Sequence, residues 1–443
     1  MGVKVCKFGG TSLADASQIA KVRRIVDADA ERRFVVPSAP GKRSADDKKI
    51  TDLLYLCHEH ARQDLPFDDV FSRVAERYRG IVDELGLSLD LTPYLDEVQR
   101  TIGKVGREGG PADYAASRGE YLNGRIIASL LDWPFVDAAE LIHFTSRGRL
   151  DESKTYGAIA ERLQPMKRAV VPGFYGSDPQ GNVKTFSRGG SDISGAIVAR
   201  GVGAAVYENW TDVPGLLMAD PRVVEHPRTI EAITYRELRE LSYMGATVLH
   251  DEAVFPVREA GIPVNIRNTN DPDAAGSTIF SGDGGAPTVT GTISGIAGRK
   301  DFTVIALEKA MMNAEMGFGR RVLTVLEAND VSFEHVPSGI DTMSLVIADA
   351  QLNGKLEKVL EELEQECRPD AVEVSAEMAL IATVGRGMAS TPGMAAKLFG
   401  ALAGAGVNIR MIDQGSSELN IIVGVAAADF ERAVRAIYAA FVR

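Results

Sequence analysis

Lys7-Phe8-Gly9-Gly10-Thr11-Ser12 closes a short apolar stretch over residues 3–8 and gives way to Ile19, Val22, Ile25 and Val26 at helical spacing. A second apolar run, Phe34-Val35-Val36, follows. Strand, glycine turn, helix and strand make a βαβ unit, whose right-handed crossover belongs to a parallel sheet buried on both faces. The same signals return as a strand over 169–171, a helix over 191–200 and a strand over 204–207. The spacing predicts an α/β domain, doubly wound on a mostly parallel sheet, over residues 1–280. Residues 42–110 are richer in charge and helix formers and read as a helical insertion.

Ser281-Gly282-Asp283-Gly284-Gly285-Ala286-Pro287 marks a domain boundary, with a linker expected over 281–297. Beyond it the chain repeats itself. A strand over 302–307 precedes a helix with Phe318, Val322, Val325 and Leu326 on one face; strands over 331–336 and 343–348 and a helix carrying Leu352, Leu356, Val359, Leu360 and Leu363 complete the first copy. The second copy reads the same way. It has a strand over 379–384, a helix with Met394, Leu398 and Leu402, strands over 407–411 and 419–424, and a helix with Phe430, Val434, Ile437, Tyr438 and Phe441. Equivalent features lie about 76 residues apart. Each copy follows the ferredoxin-like plan, over 298–376 and 377–443.

The chain has 443 residues and a net charge of −12, which argues against nucleic acid or a membrane surface as partner. Three cysteines (Cys6, Cys57 and Cys367) cannot build a disulfide framework, so a reducing cytoplasm is expected. No apolar run reaches the length of a membrane span.

Paired glycines let a phosphate approach the backbone, and amides at a helix start attract anions. Lys7 beside Gly9 and Gly10 would add a point charge. This is not a P-loop, since the Gly-x4-Gly-Lys-Ser/Thr spacing is absent. Ser187-Arg188-Gly189-Gly190-Ser191-Asp192 is a second such turn. Arg188 offers a fork for a carboxylate or phosphate; Asp192 could orient Arg188 or Lys7, or Ser191 or Asp192 could simply cap the helix. Asn209-Trp210-Thr211-Asp212-Val213-Pro214-Gly215 follows a strand end, where parallel sheets bind nucleotides. Cys57-His58-Glu59-His60 lacks metal-ligand spacing and reads as a helix surface, so no protein-held metal site is expected.

Together with Ser117-Arg118-Gly119-Glu120, Met244-Gly245-Ala246 and Val248-Leu249-His250, these motifs resemble the aspartate kinases of the amino-acid-kinase family. Asn408-Ile409-Arg410 and Gln414-Gly415-Ser416-Ser417-Glu418 in the second repeat look like that family's paired ACT domains. The resemblance covers nearly the whole chain. It implies an αβα sandwich followed by two ACT βαββαβ repeats. It also implies transfer of the ATP γ-phosphoryl group, with Mg2+, to L-aspartate at the head of lysine, threonine and methionine synthesis. On that resemblance Lys7, Arg188 and Asp192 are catalytic. Ser38, Ala39, Thr51, Glu120, Phe174, Arg188 and Ser191 line the aspartate pocket, with Glu120 on the ammonium and Arg188 on the α-carboxylate. ATP would meet Lys7, Gly9, Gly10, Thr211, Asp212, Leu217, Arg222, Thr247 and Val248. Two positions depart from the pattern: family members often carry an aromatic residue at Leu217 and a lysine at Thr247. A relative acting on glutamate or a nucleotide monophosphate is expected to lack the Ser117–Glu120 run, and a catalytically dead sensor would not need Lys7, Arg188 and Asp192.

The resemblance also places an end-product effector in the first repeat, at the interface of two chains forming a homodimer or homotetramer. Met312, Glu315, Phe318, Ser332, Phe333, Glu334, Ser338 and Gly339 would line it. Glu315 and Glu334 suit an ammonium and amides near Gly339 suit a carboxylate. A second, side-chain ammonium favours lysine over threonine.

Overall fold

The structure is a computed structural model that describes every residue except 1, 188, 247, 248, 250, 283–290, 390 and 443. By compactness the chain forms two units. One comprises Met1–Leu216, Thr229–Tyr235 and Val248–Pro287; the other comprises Leu217–Arg228, Arg236–Thr247 and Thr288–Arg443. The expected 1–280 domain thus yields two short segments to the second unit.

In the first unit β1 (Lys4–Phe8) leads to α1 (Ala16–Asp27) and β2 (Arg32–Pro37). The helical lobe follows as α2 (Ile50–Arg62), α3 (Asp68–Glu84) and α4 (Thr92–Arg107), then α5 (Asp113–Leu131) and α6 (Glu152–Arg162). β3 (Ala169–Val170), the hairpin of β4 (Tyr175–Ser177) and β5 (Val183–Thr185), α7 (Gly190–Gly201), β6 (Val206–Thr211) and β7 (Ala232–Thr234) come next. α8 (Tyr235–Tyr243) belongs to the second unit from Arg236 onward, and in the first unit α9 (Phe255–Glu259) precedes β8 (Val264–Asn268) and β9 (Ser277–Phe280). The main sheet runs β3-β2-β1-β6-β8-β9-β7 and is parallel except between β8 and β9. β1 is buried because helices cover both faces of such a sheet. Ile19, Val22, Ile25 and Val26 are the buried face of α1, at the predicted spacing.

The glycine turn departs from expectation in one respect. A 3-10 turn, Thr11–Leu13, separates Gly10 from α1, and Asp15 caps that helix by accepting from the Gln18 amide at 2.9 Å. The helix end thus already has its acceptor, and in the loop the Gly9 amide is taken by the Trp210 carbonyl. Cys57 and His58 are buried, contrary to a helix surface, and His58 Nε2 lies 3.0 Å from the Gly110 carbonyl.

Beneath the sheet, on the face away from Lys7, Glu208 is buried with Arg32 at 2.8 Å and the Trp210 indole N–H at 2.9 Å. Arg32 and Arg267 both lie over the Trp210 ring, at 5.1 and 4.7 Å from its centroid. The guanidinium groups compensate a carboxylate that could not otherwise be held out of water.

In the second unit β10 (Gly295–Glu308), α10 (Phe318–Ala328), β11 (Thr342–Ala348), α11 (Asp349–Leu352) and α12 (Leu356–Cys367) form the first repeat. β12 (Ala371–Val384), α13 (Met394–Gly404), β13 (Met411–Asp413), β14 (Asn420–Ala426) and α14 (Phe430–Val442) form the second. One sheet joins them in the order β11-β10-β12-β14-β13. β10 and β12 pair antiparallel from Gly295↔Val384 to Glu308↔Ala371, so boundaries at 297/298 and 376/377 fall inside continuous strands. Each repeat keeps its own core. One gathers Ile305, Phe318, Val322, Leu345 and Val359; the other gathers Ile381, Leu398, Leu402, Val423 and Ile437. The strand expected over 331–336 is reduced to bridges His335↔Val346 and Ser338↔Met343. Pro337 between them has no N–H to donate. The strand expected over 407–411 appears instead as the short β13.

Candidate active site

β1 and β6 lie side by side with Lys7 opposite Asn209, and their carboxyl ends open onto the Gly9-Gly10 loop and Thr211. Loops at this edge are where open parallel sheets receive ligands. Lys7 is buried, and its Nζ lies 2.6 Å from Asp192 Oδ1 on α7. Of the three readings open for Asp192, capping is not its role: the N-cap of α7 is Gly189, without a side-chain cap. Its carboxylate serves Lys7. Arg188 lies outside the described residues.

The aspartate-pocket candidates come from several elements. Ser38 and Ala39 follow β2, and the Ser38 carbonyl accepts from Asn123 Nδ2 at 2.7 Å while its amide donates to the Phe8 carbonyl at 3.0 Å. Thr51 stands half-buried in the first turn of α2. Glu120 on α5 is buried; Ser191 Oγ donates to its Oε1 at 3.5 Å, and Oε2 is buried with no partner among the described residues. Burial pushes its carboxyl up to about 7, opposed by the Ala39 amide and Ser191. A buried carboxylate oxygen without a donor suits a ligand that brings an ammonium. Phe174, with φ of 78°, donates its amide to Ser194 Oγ at 2.9 Å and stands against the start of α7.

The loop after β2 is pinned to the glycine turn. The Gly41 amide donates to the Gly10 carbonyl at 2.7 Å, and a β-carbon on Gly41 would lie 2.5 Å from the Gly10 carbonyl carbon, so only glycine fits. Arg77 on α3 holds this loop through Asp47 at 2.9 Å and the Gly41 carbonyl at 2.8 Å. Arg118 is stacked among Tyr114, Tyr121 and Tyr175. Arg77 and Asn123 were not singled out from the sequence, and Asn209, read as following a strand end, lies inside β6.

Of the nucleotide candidates, Gly9 donates its amide to the Trp210 carbonyl at 2.9 Å, and Thr211 Oγ1 donates to the exposed Asp212 at 3.2 Å. Leu217 and Arg222 fall in the second unit, where Arg222 pairs with Asp220 at 2.6 Å. Thr247 and Val248 lie outside the described residues.

The effector candidates in the first repeat show two differences from expectation. Glu315 is already spanned by Lys309, at 3.0 Å, and Arg321, which hold its carboxyl below the usual range. It is therefore not a spare carboxylate for an ammonium. The Gly339 amide is used by the Thr342 carbonyl at 2.7 Å, so it is not a free donor for a ligand carboxylate. Glu334 faces the Tyr243 hydroxyl, which burial and that carboxylate push up to about 12. Met312 and Phe318 are buried in the core, whereas Ser332, Phe333 and Ser338 are exposed.

The amino acid kinase family matches residues 2–268 and an ACT domain matches residues 381–441. Aspartokinase 3 of Bacillus subtilis (strain 168) is 40% identical over 452 residues, covering 99% of this chain and 98% of that protein. The crystal structure of Clostridium acetobutylicum aspartate kinase is 55% identical with a TM-score of 0.90 over 99% of both chains. E. coli aspartokinase III is 26% identical. Its R-state complex with aspartate and ADP gives a TM-score of 0.72 over 99% of both chains, and its T-state complex with lysine and aspartate gives 0.74 over 100% of both. With a family match over more than half its length and a relative matched almost throughout, the chain belongs to the amino acid kinase family, among the aspartokinases.

Proposed function

We propose that this aspartokinase transfers the γ-phosphoryl group of ATP to the side-chain carboxylate of L-aspartate, giving 4-phospho-L-aspartate. Glu120 Oε2 near Ser191, buried and without a partner among the described residues, carries the reading: it receives the substrate ammonium. Arg188 takes the α-carboxylate, while Ser38, Ala39, Thr51 and Phe174 shape the pocket. The acceptor carboxylate is ionised at neutral pH, so no general base is needed. The obstacle is an anion approaching a polyanion. Lys7 and the loop amide of Gly10 therefore stabilise charge on the transferring group, with the Gly9 amide tied to the Trp210 carbonyl, while Asp192 orients Lys7. Within the first unit, Thr211 and Asp212 are the proposed nucleotide contacts. Mg2+ would enter with the phosphates as part of the nucleotide substrate. Among the described residues no helix is long and apolar enough to cross a membrane. A hydroxylamine-trapping assay with L-aspartate, L-glutamate and MgATP tests the reading: aspartyl hydroxamate is expected, and equal turnover of glutamate would overturn it.

Feedback by lysine, through the C-terminal repeats of a homodimer or homotetramer, is the regulatory part of this proposal. Support comes from Glu334, which keeps no cation of its own among the described residues, and from the lysine complex of E. coli aspartokinase III. Kinase activity titrated with lysine, threonine and both, on wild type and Glu334→Ala, tests it. Inhibition by millimolar lysine that weakens in the variant is expected; equal inhibition of both forms would place the site elsewhere.

A further inference from the structure

Along β6 the side chains alternate between two very different environments. Glu208 and Trp210 enter the arginine network beneath the sheet, whereas Tyr207 and Asn209 face α7. Asn209 is buried and stands in register with Lys7 on β1. Its Nδ2 donates to Asp192 Oδ1 at 2.8 Å. Lys7 Nζ reaches the same carboxylate oxygen at 2.6 Å and lies 3.5 Å from Asn209 Oδ1. The Asp192 main-chain carbonyl accepts from the Tyr207 hydroxyl at 3.0 Å. Two adjacent strands thus deliver two donors to one oxygen of Asp192.

We propose that Asn209 is a positioning residue for phosphoryl transfer, holding Asp192 by its own amide so that Lys7 is free to turn from that carboxylate toward the transferring group. An ammonium and a carboxylate this close, and largely out of water, attract strongly. If Lys7 were the only donor, any swing toward the phosphate would leave Asp192 unsatisfied or drag it along. The amide removes that conflict in two ways. Its N–H keeps Asp192 in place when Lys7 departs, and its carbonyl oxygen is a neutral acceptor that guides the ammonium without binding it tightly. Its neutrality matters: a second carboxylate here would repel the nucleotide phosphates. An aliphatic side chain would keep the packing but supply neither function. The charged or titratable groups that face position 209 are Lys7 from β1, Asp192 from α7 and Tyr207 from β6 itself; Glu208, Arg32 and Arg267 lie on the opposite face of the sheet.

This inference rests on the phosphoryl-site reading of Lys7. Lys7→Ala tests that reading alone, whereas two variants test Asn209. Asn209→Leu should lower kcat about 10- to 100-fold while KM for aspartate and ATP stays within about threefold. Asn209→Asp distinguishes positioning from packing, because a protonated carboxyl restores one donor and one acceptor whereas the ionised form does not. Its kcat relative to wild type should rise about tenfold as pH falls from about 8.5 to about 6. Circular dichroism and thermal melts establish that each variant is folded. If Asn209→Leu does not fold, the pH series on Asn209→Asp decides. A wild-type kcat in Asn209→Leu, or a ratio for Asn209→Asp that stays flat across pH at any level of activity, overturns the proposal.

Discussion

A methyl group on the α-carbon of Gly190 would lie 2.4 Å from Cδ2 of Phe174. Phe174 itself is held in the left-handed region, with its amide on Ser194 Oγ. The loop before β4 and the first turn of α7 are therefore interlocked, and that contact sets where Ser191 stands opposite Glu120. Gly190→Ala should raise KM for aspartate and destabilise the protein by about 1–3 kcal/mol, the usual cost of overpacking. Paired measurements of KM and the urea midpoint check this; both unchanged would mean that the ring yields freely.

Glu120 makes substrate binding depend on pH. Its folded-state carboxyl titrates near about 7, raised by burial from an ordinary value of 4.5. A raised carboxyl binds its proton more tightly in the folded state. The stability it contributes is full below about pH 4.5 and is lost as pH rises toward about 7, on the order of 3 kcal/mol in the ligand-free protein. The ionised form is the one that receives an ammonium. KM for aspartate should therefore fall as pH rises through about 7 and then level off. Glu120→Gln should raise KM for aspartate, leave KM for ATP nearly unchanged and flatten this dependence. Loss of ATP affinity with aspartate affinity intact would show that the pocket is misassigned.

Lys7→Ala removes the ammonium from Asp192 as well as from the transferring group. Its main effect should be on kcat, by about 100-fold or more, because charge on the phosphoryl group grows toward the transition state. Near-normal kcat in steady-state assays would take Lys7 out of the mechanism.

The Arg32–Glu208 pair is a separate matter of stability. With both side chains almost wholly buried, Arg32→Met leaves a carboxylate without its closest cation and should cost about 3–5 kcal/mol. Adding Glu208→Gln should recover part of that loss, since the stranded charge is gone. Denaturant titration of the single and double variants measures the coupling; strict additivity would show that the two groups act independently.

Much of the site was legible because glycine, lysine and acidic residues at strand ends have few structural uses. The Gly9-Gly10 turn, the start of α7 and the helical lobe after β2 emerged close to their observed places. Asn209 was hidden because an asparagine in a strand acquires meaning only from what lies across the sheet. Glu315 misled for the same reason: its acidity is visible in sequence, but Lys309 and Arg321 beside it are a matter of folding. Gly295 falls in the expected linker, and Gly298, Arg299 and Lys300 fall ahead of the strand expected over 302–307, yet all four belong to β10 because β12 supplies the ladder.

By itself the sequence determined the parallel α/β unit, the two C-terminal repeats and the set of charged groups available for chemistry. Local periodicity and turn residues act over a few neighbours, and those effects are written in the chain order. Only tertiary structure decided which partner each charge has. Lys7 on β1, Asn209 on β6 and Asp192 on α7 converge because β1 and β6 are adjacent and α7 packs over the face they share. That convergence depends on strand order and register, which arise from burial across the whole sheet and not from any local run of residues.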